Sequence, residues 1–347
     1  MNRRKTNLEA IRGIVCLIVV FCHFPVQGSI QPYIVAVARS AVPFFLLISG
    51  YFSYREAEKE GVPYVKKKLF TTIKLTAVAT VVCALTNSLL DLWKGNHPLQ
   101  WVRKAANTKN LLRFLLLNRA NWLSSVMYYL FMLIYVYVIF LIVHKLRLVR
   151  IAYLAIPILL VANVIVSKTV DDWFYAGNFL LTGIPFFALG LFLRDKKIRI
   201  GDATAAVMIA AGVVCTLAER YFIGGSYVYV GTILLSVGLF MIGLSDGEYF
   251  PKALAWFGTQ YSMLLFILHC CVGVLLRYMF EKHKIDIGSF LPFVVIAATL
   301  VVSTIVLPVK RRCNFGNTSE NAGAAGKAVD SKKGSAPETA DSEKKTE

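Results

Sequence analysis

The chain has 347 residues, of which 57% are hydrophobic and 17% are charged, and its mean hydropathy is +0.61. A soluble domain of this length would carry more charge, so the composition predicts a protein that lies in a lipid bilayer. The net charge of +18 would suit nucleic acid, but the lysines and arginines lie beside long apolar runs, where such residues set membrane orientation. We therefore expect membrane lipid, and no nucleic acid, as a partner.

Ten apolar segments in chain order predict an all-α, polytopic integral membrane protein. Each is near the ~20 residues that cross about 30 Å of hydrocarbon. The segments span 8–28, 33–52, 69–93, 124–143, 148–167, 173–193, 203–219, 227–245, 254–280 and 289–309. Residues 313–347 are rich in Ala, Gly, Ser, Lys and Glu, which predicts a disordered cytoplasmic tail after a membrane domain over residues 1–312.

The basic residues between these segments predict the orientation. With the N-terminus inside, the inner loops collect most Lys and Arg, and four of the five outer loops are nearly free of them. The exception is the third outer loop, 94–123, whose apolar stretch 111–117 predicts a segment along the membrane surface. We expect a multi-pass protein of the cell membrane with both termini in the cytoplasm.

Charged and titratable side chains inside the segments are candidate site residues, because each costs at least ~2.5–3.5 kcal/mol at bilayer depth on insertion scales. The first segment carries Arg12 and His23 on one helical face, ~16 Å apart along the axis. Counted from the ends of their segments, Arg39 and His269 fall near the depth of His23. The depth of Arg12 is shared by Ser49, Gly50 and Tyr51.

These depths predict an inner layer suited to an anionic donor, such as a nucleotide phosphate, and an outer layer suited to general-base chemistry on a hydroxyl. Tyr128 and Asn178 are acceptor-side candidates at the outer depth. Purely structural roles stay open for these residues. Arg12 would extend its side chain to the membrane interface, and Tyr128 would belong to an interfacial aromatic belt. His23 and Asn178 would form hydrogen bonds between neighbouring helices. Ser49 and its neighbour would be a small-residue packing site.

The cysteines indicate no metal site in the sequence. Six of the seven lie inside apolar segments, where Cys behaves as a small hydrophobic side chain. No C-x-x-C pair occurs, so we expect no zinc site, no disulfide framework and no bound cofactor.

The same polar residues lie in motifs that resemble the membrane acyltransferase-3 family. The stretch Leu8-Glu9-Ala10-Ile11-Arg12-Gly13, with ten residues between Arg12 and His23, resembles the first-helix signature of that family. Residues 39–52, 178–190 and 258–269 resemble its later motifs, and the resemblance covers about residues 7–310. Two places depart from the pattern: Val126 and Tyr128 stand where members usually carry His and Trp, and Gly177 where they often carry Arg.

The resemblance implies an enzyme that moves an acyl group, often acetyl from cytoplasmic acetyl-CoA, to a hydroxyl of a cell-surface glycan, a lipid-linked sugar or a small molecule. It maps the functional residues of the family onto Arg12, His23, Ser49, Gly50 and Tyr51. We expect His23 to act as base or transient nucleophile, Arg39 to stabilise the oxyanion, and His269 to orient His23 or shuttle a proton.

Two other functions remain open. An exporter of a small anionic or sugar-like molecule would also carry Arg and His inside the membrane, although we see no internal repeat and no paired broken helices. A catalytically inactive scaffold is the third, favoured by the departures at Val126 and Gly177.

Overall fold

The computed structural model describes residues 3–55 and 58–312, so the predicted tail, 313–347, lies outside the described residues. The described residues form helices and no strand, which confirms the all-α prediction. In chain order the α-helices are α1 Arg3–His23, α2 Gln31–Ala38, α3 Ala41–Tyr51, α4 Glu58–Trp93, α5 Gln100–Ala105, α6 Thr108–Leu117, α7 Met127–Lys145, α8 Val149–Thr169, α9 Ile184–Asp195, α10 Asp202–Ile223, α11 Val230–Gly243, α12 Lys252–Lys282 and α13 Leu291–Arg312.

Eight helical segments in the described part of the chain are long and apolar enough to cross a membrane. They are Thr6–His23, Gln31–Tyr51, Gly61–Trp93, Met127–Lys145, Val149–Thr169, Asp202–Ile223, Lys252–Lys282 and Gly288–Pro308. Each matches one of the ten predicted segments, so the polytopic architecture is confirmed. The predicted count of ten spans is not confirmed, because the two remaining segments, 173–193 and 227–245, contain shorter helices.

The predicted segment 173–193 is only partly α-helical. It begins with a 3-10 turn, Trp173–Tyr175, continues through a π-helical turn, Phe179–Gly183, and becomes α-helical in α9. The side chain of Asn178 accepts hydrogen bonds from two backbone N–H groups of the π-helical turn, so the regular helix starts after this cap. Apolar composition alone does not reveal such a late start.

The predicted segment 227–245 is shortened in the same way. Tyr229 has extended backbone, with φ −106° and ψ 158°, so α11 has only 14 residues. The carboxylate of Glu219 accepts hydrogen bonds from the N–H groups of Val230 and Gly231, at 3.1 and 2.9 Å. These bonds satisfy donors that every helix leaves free at its first turn.

The second predicted segment is interrupted between α2 and α3 at Arg39 and Ser40. Pro43 has no N–H and is tolerated in the first turn of α3, where a helical hydrogen bond is not required. Arg39 ends α2, and its side chain reaches the segment before α11.

Glycines set the spacing of the helix pairs that carry the candidate residues. A Cβ at Gly258 in α12 would lie 1.7 Å from the carbonyl oxygen of Glu9 in α1, and one at Gly13 would lie 3.1 Å from the Cα of Gly258. A Cβ at Gly50 in α3 would lie 2.0 Å from the carbonyl oxygen of Phe187 in α9. Both pairs therefore pack backbone against backbone, as small residues permit in membrane proteins.

Candidate active site

Two imidazole rings lie close together at the C-terminal end of α1. The ring centroids of His23 and His269 are 5.2 Å apart, with an angle of 45° between the ring planes. Gly13 and Gly258, which touch, precede these histidines by ten and eleven residues. Helices α1 and α12 therefore run parallel, and equal rise along both brings the rings to the same level. We call the groups around this pair the His23 layer.

His269 is held in one tautomer. It is 1% exposed, and its Nδ1 donates a hydrogen bond to the carbonyl oxygen of Leu265 at 2.7 Å. A carbonyl oxygen can only accept, so in the neutral ring the proton is on Nδ1 and the lone pair is on Nε2. Nε2 is buried and has no hydrogen-bond partner. The His23 layer thus contains an unused basic nitrogen.

A serine hydroxyl links His23 to a cysteine. Ser125, in the turn before α7, has its Oγ 3.0 Å from Nδ1 of His23 and 3.4 Å from Sγ of Cys270. If His23 carries its proton on Nδ1, it donates to Ser125, which in turn donates to the sulfur. That arrangement leaves Nε2 of His23 as a base.

The surroundings of this pair are apolar. Val126 is buried with Val20, Phe24, Cys270 and Val295 in one small cluster. Val126 stands where similar sequences usually carry His, so the hydrophobic side chain takes part in packing and its neighbour, Ser125, supplies the polar contact to His23. His269 is shielded from water by this packing, whereas His23 is half-buried.

Arg39 belongs to a second group in the same part of the fold. Its guanidinium donates to the carbonyl oxygen of Ser226 and lies 5.7 Å from the centre of the Tyr227 ring. The hydroxyl of Tyr128 is 3.1 Å from that of Tyr227, so the buried Tyr128 meets Arg39 through a shared neighbour. The charge of Arg39 also acts on Cys22, which precedes His23.

Gly177 is explained by the rings beside it. A Cβ at this position would lie 2.7 Å from Cζ of Tyr227 and 2.9 Å from a ring carbon of Trp173. Those two rings are stacked, with centroids 5.3 Å apart and planes at 15°. Aromatic side chains therefore fill the space that an Arg at position 177 would need.

Asn178 is saturated by backbone groups. Its Nδ2 donates to the carbonyl oxygens of Phe174 and Tyr175, and its Oδ1 accepts from the N–H groups of Leu180 and Leu181. A side-chain amide has two donors and two acceptor positions, so its capacity is used. Its role toward an acceptor stays a prediction.

The middle of α1 carries an ion pair. The guanidinium of Arg12 lies 2.7 Å from the carboxylate of Glu9, three residues earlier on the same helix. The Arg12 side chain is 28% exposed, whereas that of Glu9 is 9% exposed. Pairing lowers the cost of placing an arginine in an apolar helix and leaves one side of the guanidinium open. We call the groups near this pair the Arg12 layer.

Further cations accompany Arg12. The charges of Arg55, Lys67 and Arg12 all act on Lys68, so these four residues form one electropositive region. The guanidinium of Arg55 lies 3.4 Å from the centre of the Tyr64 ring, which holds it in place. Glu9 pairs with Arg12, and the cations grouped around that pair attract anions.

Ser49 lies between tyrosines of α7. Its hydroxyl donates to the carbonyl oxygen of Phe45 at 2.9 Å and interacts with the hydroxyl groups of Tyr129 and Tyr137. Tyr129 is also within electrostatic range of Arg12. A row of hydroxyl groups therefore runs from α3 to the Arg12 layer.

Gly50 and Tyr51 follow at the contact between α3 and α9. Gly50 allows the close approach to Phe187, and the hydroxyl of Tyr51 accepts a hydrogen bond of 3.3 Å from Arg194. The guanidinium of Arg194 also lies 5.3 Å from the centre of the Tyr51 ring. Tyr51 therefore places another cation near the end of α3.

Sequence reasoning missed several residues of both layers. Glu9 was visible as an acidic residue three positions before Arg12 in an apolar run. Ser125, Cys270 and Tyr227 carried no signal, because their contacts join parts of the chain that are more than 90 residues apart.

The sequence model of one family, described as an acyltransferase domain and corresponding to acyltransferase-3, matches residues 5–309. No curated protein and no solved structure matches the chain.

Proposed function

The chain belongs to the membrane acyltransferase-3 family, and on that premise we propose that it moves an acyl group, by default acetyl, from cytoplasmic acyl-CoA to a hydroxyl acceptor. The acceptor would be a cell-surface glycan, a lipid-linked sugar or a small molecule. One observation carries the proposal: α1 bears a cation of an electropositive region near its middle and one member of an imidazole pair at its C-terminal end. The protein would lie in the cell membrane with both termini in the cytoplasm.

The donor would bind at the Arg12 layer. CoA phosphates are multiply charged, and the Arg and Lys residues around Arg12 suit them. The acyl arm would then extend along α1 past Ser49 and Tyr129 toward His23, which is ~16 Å away along the helix axis. The close contact at Gly50 would narrow this path. Acyl-CoA is a substrate here, and the reaction needs no resident cofactor.

The chemistry would take place at the His23 layer. Nε2 of His23 accepts the proton of the acceptor hydroxyl as the oxygen attacks the thioester carbonyl. When the tetrahedral intermediate collapses, the C–S bond breaks and the imidazolium returns the proton to the CoA thiolate. Ser125 orients His23 through Nδ1, and His269 supplies a second basic nitrogen for moving the proton.

Arg39 would supply the positive charge of this site. In the proposal its charge stabilises the oxyanion of the intermediate, as donors aimed at developing charge do in other acyl transfers. Tyr128 would contact the acceptor beside Tyr227. The Arg39 guanidinium would have to share its hydrogen bonds between Ser226 and the substrate.

An exporter is the second candidate, and the irregular start of α9 favours it. The 3-10 turn and the π-helical turn before α9 resemble the discontinuous helices of transporters. An exporter would leave the thioester of acyl-CoA intact.

Membrane vesicles separate the two functions. Radiolabelled acetyl-CoA is added to inside-out and right-side-out vesicles that contain the protein, and the label in lipid, glycan and small-molecule fractions is counted. The proposal predicts esterified label with inside-out vesicles only. Transport of an intact molecule with no esterified label would overturn it in favour of the exporter.

A further inference from the structure

We propose that His23, His269 and Cys270 form a binding site for a soft or borderline divalent cation such as Zn2+, and that the bound ion inhibits acyl transfer. The second half of the proposal rests on the function proposed above. The site itself rests on geometry, and it departs from the sequence expectation that no metal binds.

The three side chains converge on one point. A ring nitrogen from each histidine and Sγ of Cys270 lie within 4.8 Å of one another. Tetrahedral zinc, with bonds of about 2.0–2.3 Å, holds its ligand atoms about 3.3–3.8 Å apart. The three atoms would therefore close by about 1 Å around an ion. His23 is only half-buried, so its ring has room to rotate and an ion has a route of entry.

His269 points independently to a ligand. Its Nε2 is buried without a hydrogen-bond partner, although an unsatisfied polar atom in an apolar interior is costly. Its Nδ1 donates to the carbonyl oxygen of Leu265, the contact that metal-binding histidines usually make through their second nitrogen. The lone pair of Nε2 is thus free to bind a metal.

The ligand types indicate the class of ion. One thiolate and two imidazoles suit zinc and other borderline or soft cations and do not suit magnesium or calcium, which prefer oxygen. Binding forms a metal–sulfur bond as the Cys270 S–H bond breaks, and the proton leaves to solvent. Three protein ligands leave a fourth position for water or for the hydroxyl of Ser125.

Occupation of this site would block the reaction. The lone pair of His23 would be shared with the cation, so the ring could no longer take a proton from the acceptor. Basal transfer would therefore be highest with a chelator present, and added zinc would lower it.

Binding is measured with Co2+ as the probe, on the purified full chain in detergent and without any substrate. A near-ultraviolet charge-transfer absorption, saturating at one equivalent, reports a cobalt–thiolate bond. We expect Cys270→Ala to abolish it and His269→Gln to weaken binding at least about tenfold. Cys215→Ala is the matched control, because this half-buried cysteine lies in α10 and should leave the absorption unchanged.

Two outcomes would overturn the site. One is the absence of saturable absorption in the wild type. The other is its loss in Cys271→Ala with retention in Cys270→Ala, because Cys83 and Cys271, with sulfurs 3.5 Å apart, would then be the ligands. A cooperative thermal unfolding transition shows that each variant is folded. If Cys270→Ala does not fold, Cys270→Ser replaces it in the test.

Inhibition is measured separately from binding. The rate of acyl transfer with Zn2+ is divided by the rate of the same variant in chelator. We expect Cys270→Ala to need at least about tenfold more zinc for half inhibition. Equal inhibition would overturn the inhibitory role. Cobalt binding that depends on Cys270 in a protein without transfer activity would support the site while contradicting the proposed function.

Discussion

Gly258 of α12 lies directly against the backbone carbonyl of Glu9 in α1, where a Cβ would be 1.7 Å from the oxygen. Both helices run parallel from this contact, so it sets the register in which His23 and His269 meet. The same contact lies beside the ion pair of Glu9 and Arg12. One backbone contact therefore connects the geometry of the two layers.

Gly258→Ala should separate α1 from α12, because neither backbone can yield without moving its helix. We expect a loss of about 1–3 kcal/mol in the free energy of unfolding and a fall in acyl transfer. Thermal unfolding in detergent and the transfer rate check this. Gly201→Ala is the control, since a Cβ there meets no atom within 4 Å. Equal stability of the two variants would show that the contact does not set the spacing.

Arg12 should contribute to stability through its ion pair with Glu9 and, separately, to donor binding through its charge. Arg12→Gln leaves the buried carboxylate of Glu9 without a cationic partner, and an uncompensated charge costs about 3–5 kcal/mol in a protein interior. In the double variant with Glu9→Gln, thermal stability should recover while the KM for acyl-CoA stays high, because the cation is still missing.

The exposed pair of Arg277 and Glu281 on α12 is the matched control. Arg277→Gln should change stability by less than about 1 kcal/mol and leave the KM for acyl-CoA unchanged. A wild-type KM in the double variant of Arg12 and Glu9 would remove Arg12 from donor binding.

Ser125→Ala should act on the chemical step. Without its hydroxyl partner the His23 ring is less well oriented, and a misplaced catalytic group lowers kcat by about 10- to 100-fold. The KM for acyl-CoA should not change, because the donor would bind ~16 Å away. Ser125→Thr should restore most of kcat. Thr169→Ala on α8, where the exposed hydroxyl donates to its own helix, is the control. A change in KM alone would contradict the positioning role.

Asn178→Ala should destabilise the start of α9. Loss of an Asn cap costs about 1–2 kcal/mol, and thermal unfolding measures it. Asn107→Ala removes a cap of the same type from the exposed helix α6 and should cost less. Unchanged stability together with a higher KM for the acceptor would instead assign Asn178 to acceptor binding.

Much of the fold and part of the site followed from the sequence. Apolar length predicted the eight long spans, and helical rise predicted that His23 and His269 lie at one depth. That the two rings are neighbours required the contact at Gly258, which no local pattern reveals. The break at Arg39 and Ser40 was missed because residues 33–52 are almost uniformly apolar.

The residues that sequence reasoning missed are those whose partners lie far along the chain. Ser125 is an ordinary polar residue until its hydroxyl meets His23. Gly177 departs from the family pattern, and only the rings of Trp173 and Tyr227 explain it. Periodicity gives depth and face on one helix, whereas such contacts depend on which helices are neighbours.

The most direct test of the account is the transfer of acyl label by the purified, reconstituted protein carrying His23→Ala. Free CoA thiol and acyl ester are counted together, with a membrane extract as the source of acceptor. The account predicts equal amounts of thiol and ester from the wild type, a fall of at least about 100-fold in His23→Ala, and no change in His283→Ala, at the far end of α12. Full activity of folded His23→Ala would contradict the assignment of His23 as the base.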